Sequence, residues 1–209
     1  MASGLVTPEQ LRTRLAGLLS PAALVWVEDA CAVVSEQPEA VMTLSAGAGL
    51  RCGRAALGPG FEDWTADEAA RALMLCALPL NGPELAAAVE SVYHLGDSSE
   101  RRAVLRALPM LGVGERSVGL VRDALGTNDP RLVAAALGPG AATYLDQSSW
   151  RDGVLKCLFL EVPLTVVADL YRRTDAELIR MLRHHAAERA AVGETVPADL
   201  NAVIDRWEG

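Results

Sequence analysis

The chain predicts an all-α protein, a HEAT/armadillo-like stack of antiparallel helix pairs. Three observations carry that prediction: the apolar residues are small, the helix starts are explicit, and one short segment recurs. Hydrophobic residues make up 51% of the 209, yet there are only four Trp, three Tyr and two Phe. Ala and Leu therefore supply most of the core, and compact side chains without branching at Cβ suit close helix packing better than sheets. No segment alternates with a period of two. The segment AALGPG stands at Ala55–Gly60 and again at Ala135–Gly140, each time after an alanine-rich helical pattern. Gly-Pro-Gly stops a helix, because Pro lacks an amide donor and Gly accepts the left-handed geometry of a C-terminal cap. The copies are expected to be equivalent corners, separated by two helix-pair units of roughly 40 to 47 residues each. A single domain over residues 1–209 follows from the length.

Thr7 precedes Pro8, Glu9 and Gln10, so a helix starts there with Pro in its first position. Thr65–Glu68 and Thr174–Glu177 read as capping boxes, in which each side chain satisfies an amide at the other end. Helices are predicted over 8–19, 21–36, 38–46, 65–78, 83–94, 98–110, 114–125, 130–137, 147–160, 163–172, 175–192 and 197–207. A Gly-rich link is expected over 47–60. Two helices differ from the rest. ADEAARALMLCALPL is apolar all round, with Arg71 as its only interior charge, and a helix of that kind belongs in the middle of a domain. WRDGVLKCLFLEVPL is apolar from Val154 to Leu160 apart from Lys156. These two helices are expected to wall a pocket.

A guanidinium or ammonium in an apolar interior requires an anion. Arg71 and Lys156 are therefore the candidate holders of an anionic ligand, with internal ion pairing or snorkelling to water as the alternative. Asp152 lies four residues before Lys156, the spacing of neighbours on one helix face. Asp152 and Glu161 are the candidate catalytic carboxylates, and Asp146 is a further acid nearby. Trp64 and Trp150 can stack on a ligand or pack at helix starts.

Other chemistries find no support. His184 and His185 are adjacent and so diverge on a helix, whereas a helical zinc site uses positions four apart; no metal or cofactor is expected. Nucleotide, phosphate-loop and serine-hydrolase motifs are missing. The formal charge of -8 and isoelectric point near 4.9 disfavour nucleic acid, which calls for clustered cations. The opening MASGLVTPEQLRTRL lacks a basic leader and an apolar core, and no run reaches the about 20 apolar residues of a bilayer span. A cytoplasmic protein is expected. The four cysteines lie far apart in apolar helices, as buried reduced thiols do.

The stretches WTADEAARALMLCALPL, ALPMLG, TND, WRDGVLKCLFLEVPL and ELIRMLRHHAAERAAVGETVPADL, in that order and spacing, resemble the EboA domain family from about Phe61 to the C-terminus. That family comprises bacterial proteins of specialised-metabolite gene clusters associated with traffic of metabolic precursors. Arg71, Asn128, Trp150, Lys156 and Arg189 match its pattern. Where the family reads Trp-Asn-Gln-Met, this chain has Trp150, Arg151, Asp152 and Gly153. The family's Asn-Pro-Tyr-Pro turn becomes GPGAATY, and its Tyr-Ala-His-Glu-Arg becomes His185, Ala186, Ala187, Glu188 and Arg189. The resemblance implies a metabolite-linked role and gene-cluster partners, a TatD-like hydrolase among them.

Together these readings give two expectations. In the first, Arg71, Lys156, Trp150, Asn128 and Trp64 bind an anionic biosynthetic intermediate, and Asp152 or Glu161 moves a proton in a metal-free elimination or ring closure. In the second, the chain is a carrier or a structural subunit without turnover.

Overall fold

The computed structural model describes residues 5–61 and 64–209. The first four residues of the stretch read against a secretory signal lie outside them. Among the described residues twelve α-helices follow in order: α1 (Pro8–Ala16), α2 (Pro21–Glu36), α3 (Val41–Cys52), α4 (Ala66–Cys76), α5 (Gly82–Leu95), α6 (Ser98–Leu111), α7 (Val118–Gly126), α8 (Pro130–Leu137), α9 (Gln147–Phe159), α10 (Leu170–Arg173), α11 (Ala176–Ala191) and α12 (Ala198–Glu208). Short 3-10 turns precede α3 and α7, and a third lies at Leu164–Val166. No strand occurs among the described residues, and an isolated antiparallel bridge joins Ala56 to Thr65.

The helix starts follow from the side chains that precede them. Thr7 and Gln10 close a capping box on α1, Thr65 and Glu68 one on α4, and Asp97 and Glu100 one on α6. Each removes orphan amides that would otherwise cost about 1 kcal/mol apiece. At α11 the expected box does not form. Asp175 caps the helix by accepting from the Leu178 amide, while the Thr174 hydroxyl donates back to the Leu170 carbonyl.

Packing orders the helices into a row. α4, α6 and α8 lie successively against one another, α5 packs on α6, and α7 on α8. The N-terminal helices α1, α2 and α3 all pack on α4, which is consequently buried along Ala66–Leu75. At the other end α9 lies on α8 and α7, with α11 and α12 beyond it. The two helices expected to wall one pocket therefore belong to opposite ends of the row, with α6 and α8 between them.

Three local expectations are corrected. The helix over 163–172 is broken into the 3-10 turn and the single turn α10, because the Ala168 amide pairs with the Leu137 carbonyl of α8 and Asp169 takes a left-handed φ of 57°. The link over 47–60 is helical as far as Cys52. Finally, the AALGPG copies are not equivalent corners. The first is extended, its Leu57 paired to Trp64 and its carbonyl accepting from the Arg14 side chain; the second begins in the last turn of α8. What they share is a left-handed final glycine, Gly60 at φ 85° and Gly140 at φ 80°. A Cβ on Gly140 would also lie 2.6 Å from Pro109.

Candidate functional site

Arg71 sits on α4 with only 3% of its surface exposed, and it is satisfied by the protein itself. Its guanidinium contacts Asp67 Oδ2 at 2.5 Å, one turn earlier on the same helix, and donates to the Ser45 carbonyl of α3 at 3.0 Å. Asp67 is held in turn by the Thr65 hydroxyl at 2.6 Å. The expectation that Arg71 is the only interior charge of α4 is thus corrected: Asp67 and Glu68 are equally buried. The acid that answers Arg71 is Asp67, rather than Asp152 or Glu161. Glu68 faces Arg102 of α6 at 3.2 Å and accepts from the Thr65 amide. Burial raises its pKa, with the Arg102 and Arg106 charges opposing that shift. Trp64 is buried beside this cluster, with the Arg106 guanidinium over its ring at 5.4 Å.

Lys156 belongs to a different place. A groove of about 260 Å³ runs between α7 and α9. From α7 it is lined by Arg122, Leu125 and Gly126, and from α9 by Ser149, Asp152, Gly153 and Lys156. These positions repeat at three and four residues along each helix, so each set forms one stripe. Gly153 lets the helices approach: a Cβ there would lie 3.2 Å from both Leu125 and Leu137. Lys156 is half-buried and Asp152 is exposed. Their side chains are one turn apart, yet neither makes a hydrogen bond or ion pair with the other or with another described residue. Arg122 is fixed at the groove's edge by Asp146, at 2.8 Å. Asp146 caps α9, and hydrogen bonds from the Ser148 hydroxyl, the Ser149 amide and hydroxyl, and Arg122 hold its carboxyl far below the usual range.

The remaining residues picked out by sequence have local partners or face solvent. Trp150 is fully buried, with the Arg173 guanidinium 4.7 Å above its ring and its indole nitrogen without a hydrogen-bond partner among the described residues. Arg173 is itself bonded to the carbonyls of Ala142 and Leu145. Glu161 lies just past the end of α9 at φ 56°, in the position a glycine usually takes. The Val162 and Glu161 amides return to the carbonyls of Cys157 and Leu158, which is the Schellman pattern. Asn128 is exposed ahead of Asp129, the cap of α8. Arg189 closes the turn after α11 through Glu194 and the Thr195 carbonyl. Arg151 bridges to Asp175 at 2.7 Å, tying α9 to the start of α11 and lowering the Asp175 pKa to about 2.

Sequence reasoning missed Arg122, whose neighbours in the groove come from another helix. It also missed Asp67 as the partner of Arg71, although the four-residue spacing was visible. A smaller hollow of about 150 Å³ beside Gly140 includes Leu108, Pro109 and Tyr144 in its lining. Its Ser117 and Thr143 hydroxyls already donate to the Gly114 and Gly140 carbonyls. Among the described residues no group of His, Cys, Asp and Glu is placed to hold a metal ion, and no helix is long and apolar enough to cross a membrane.

An all-helical chain with charges of both signs along one groove defines a class of small helical protein rather than a particular chemistry. The family model described as metabolite traffic protein EboA matches residues 52–205, and the chain belongs to that family. The match runs from the end of α3 into α12, leaving α1, α2 and most of α3 outside it. No curated protein and no solved structure matches the chain.

Proposed function

We propose that this protein is a carrier that binds an anionic small metabolite in the groove between α7 and α9, with Lys156 and Arg122 as the cationic grip. One observation carries the reading: Lys156 lines the groove and its side chain has no hydrogen-bond or ion-pair partner among the described residues, whereas Arg71 is closed by Asp67 and Ser45. A half-buried ammonium that no acid of the protein answers stays open to an anionic ligand. Membership of a metabolite traffic family fits this role. Handover to a gene-cluster enzyme in the cytoplasm, such as the TatD-like hydrolase implied by the resemblance, completes it.

Carriage is favoured over an acid-base step because the proposed proton carriers lack a dry setting. A carboxylate becomes a strong base by desolvation, and both Asp152 and Glu161 are exposed. The row of α4, α6 and α8, flanked by α5 and α7, also supports reading the fold as a HEAT-like stack of helix pairs.

The test is a protein-detected NMR titration of the full chain with short carboxylates and phosphate monoesters, followed over hours for turnover. Groove binding moves the amides of residues 122–126 and 149–156, and Lys156→Met with Arg122→Gln abolishes those shifts. Shifts confined to other regions reject the site, and product formation by the chain alone restores the enzyme.

A further inference from the structure

The groove carries more than a cation. Asp152 and Lys156 share one stripe of α9, four residues apart. At that spacing oppositely charged side chains can meet, as Arg71 and Asp67 do on α4 and Glu90 and His94 do on α5. In the groove they remain apart. The other members of the two stripes include Leu125, Gly126 and Gly153, whose small or apolar surfaces carry no charge. The cations lie on both helices, Lys156 on α9 without a partner among the described residues and Arg122 on α7 with its Nη2 bonded to Asp146, while Asp152 supplies the one carboxylate of the lining. Asp146, the other nearby acid, is already filled by Arg122, Ser148 and Ser149.

From this arrangement we propose that the ligand is a small zwitterion of the α-amino-acid class, its carboxylate held by Lys156 and Arg122, its ammonium by Asp152, and its apolar side chain against Leu125. The inference rests on the anion-carrier reading and adds the ammonium subsite to it. Pairing of opposite charges at both ends explains why the groove retains a carboxylate that would otherwise repel a simple anion. The volume, about 260 Å³, is below the ~300 to 1,000 Å³ of pockets for drug-sized ligands and suits one amino acid rather than a peptide.

Three probes of the same carbon skeleton separate the two readings: leucine, 4-methylpentanoate, which lacks the ammonium, and isopentylamine, which lacks the carboxylate. Each is titrated into the full-length protein and followed at the amides of residues 122–126 and 149–156. The expected result is that leucine binds about tenfold more tightly than either analogue. Asp152→Asn, at an exposed position, brings leucine down to the level of the acid, and Lys156→Met weakens leucine and acid together. Binding of 4-methylpentanoate as tightly as leucine overturns the zwitterion while leaving the anion site standing. Absence of any shift with all three probes overturns both.

Discussion

The charges on α4 and those along the groove of α9 both place an aspartate four residues before a cation, Arg71 in one case and Lys156 in the other, with opposite results. On α4, Asp67 and Arg71 are buried and joined, and Ser45 and Thr65 complete their hydrogen bonds. On α9, Asp152 and Lys156 stand at the surface side of the helix and are not joined. Desolvation explains the difference. An ion pair taken out of water must be answered inside the protein, because a lone buried charge is far too costly. At a groove the solvent answers instead, so charge can be left open for a ligand to claim. Burial of a cation therefore marks a structural role when the partner is internal, and a partly exposed cation without an internal partner is left within reach of a ligand.

The largest effect expected from this contrast is at Arg71. Arg71→Met leaves Asp67 buried and unpaired, and should lower unfolding stability by about 3 to 5 kcal/mol in urea titrations. A loss under 1 kcal/mol would show that Asp67 is answered by Arg54, which approaches it at 3.8 Å.

Next comes the pH dependence of Glu68. Burial raises its pKa above the ordinary 4.5, so the folded state keeps the proton to higher pH than the unfolded chain does. Stability from this group is then fully present below 4.5 and falls as pH rises through the raised value. Urea unfolding of wild type and Glu68→Gln from pH 4 to 8 should show the variant gaining relative to wild type as pH rises. The reverse slope would mean that Arg102 and Arg106 outweigh burial.

A smaller gain is expected past the end of α9. Glu161 holds a left-handed backbone that costs an ordinary residue about 1 kcal/mol, so Glu161→Gly should raise stability by up to that amount. A loss in the same urea assay would assign the Glu161 side chain a stabilising contact. The cysteines should be the quietest groups. Burial pushes the Cys157 thiol up to about 12 and those of Cys31, Cys52 and Cys76 to about 11. Labelling by a thiol reagent at pH 8 should accordingly be slow until urea unfolds the chain.

Much of the helix order was legible because caps and prolines are local. Thr7, Thr65 and Pro8 act within their own turn, and no distant residue is needed to read them. The failures lie where distant contacts decide. Ala168 leaves its helix because its amide finds Leu137, more than one element away in the fold. Asp175 displaces Thr174 as cap while also receiving Arg151 from α9. The site was half legible for the same reason: the spacing of Asp152 and Lys156 is written along one helix, but Arg122 joins them only through the packing of α7 on α9. The departures from the family pattern at Arg151, Asp152 and Gly153 gain separate meanings in three dimensions. Arg151 ties α9 to α11, Asp152 faces the groove, and Gly153 lets α7 and α8 come close.

The most direct test places the two regions side by side. Urea midpoints of wild type, Arg71→Lys and Lys156→Met are measured at pH 7 with and without excess leucine, since a ligand that binds only the folded state raises the midpoint by mass action. Arg71→Lys should lower the midpoint and keep the full leucine-induced rise. Lys156→Met, at a surface groove, should stay within about 0.5 kcal/mol of wild type and lose that rise. Loss of the rise in Arg71→Lys together with its survival in Lys156→Met would contradict the assignment of structure to α4 and binding to α9.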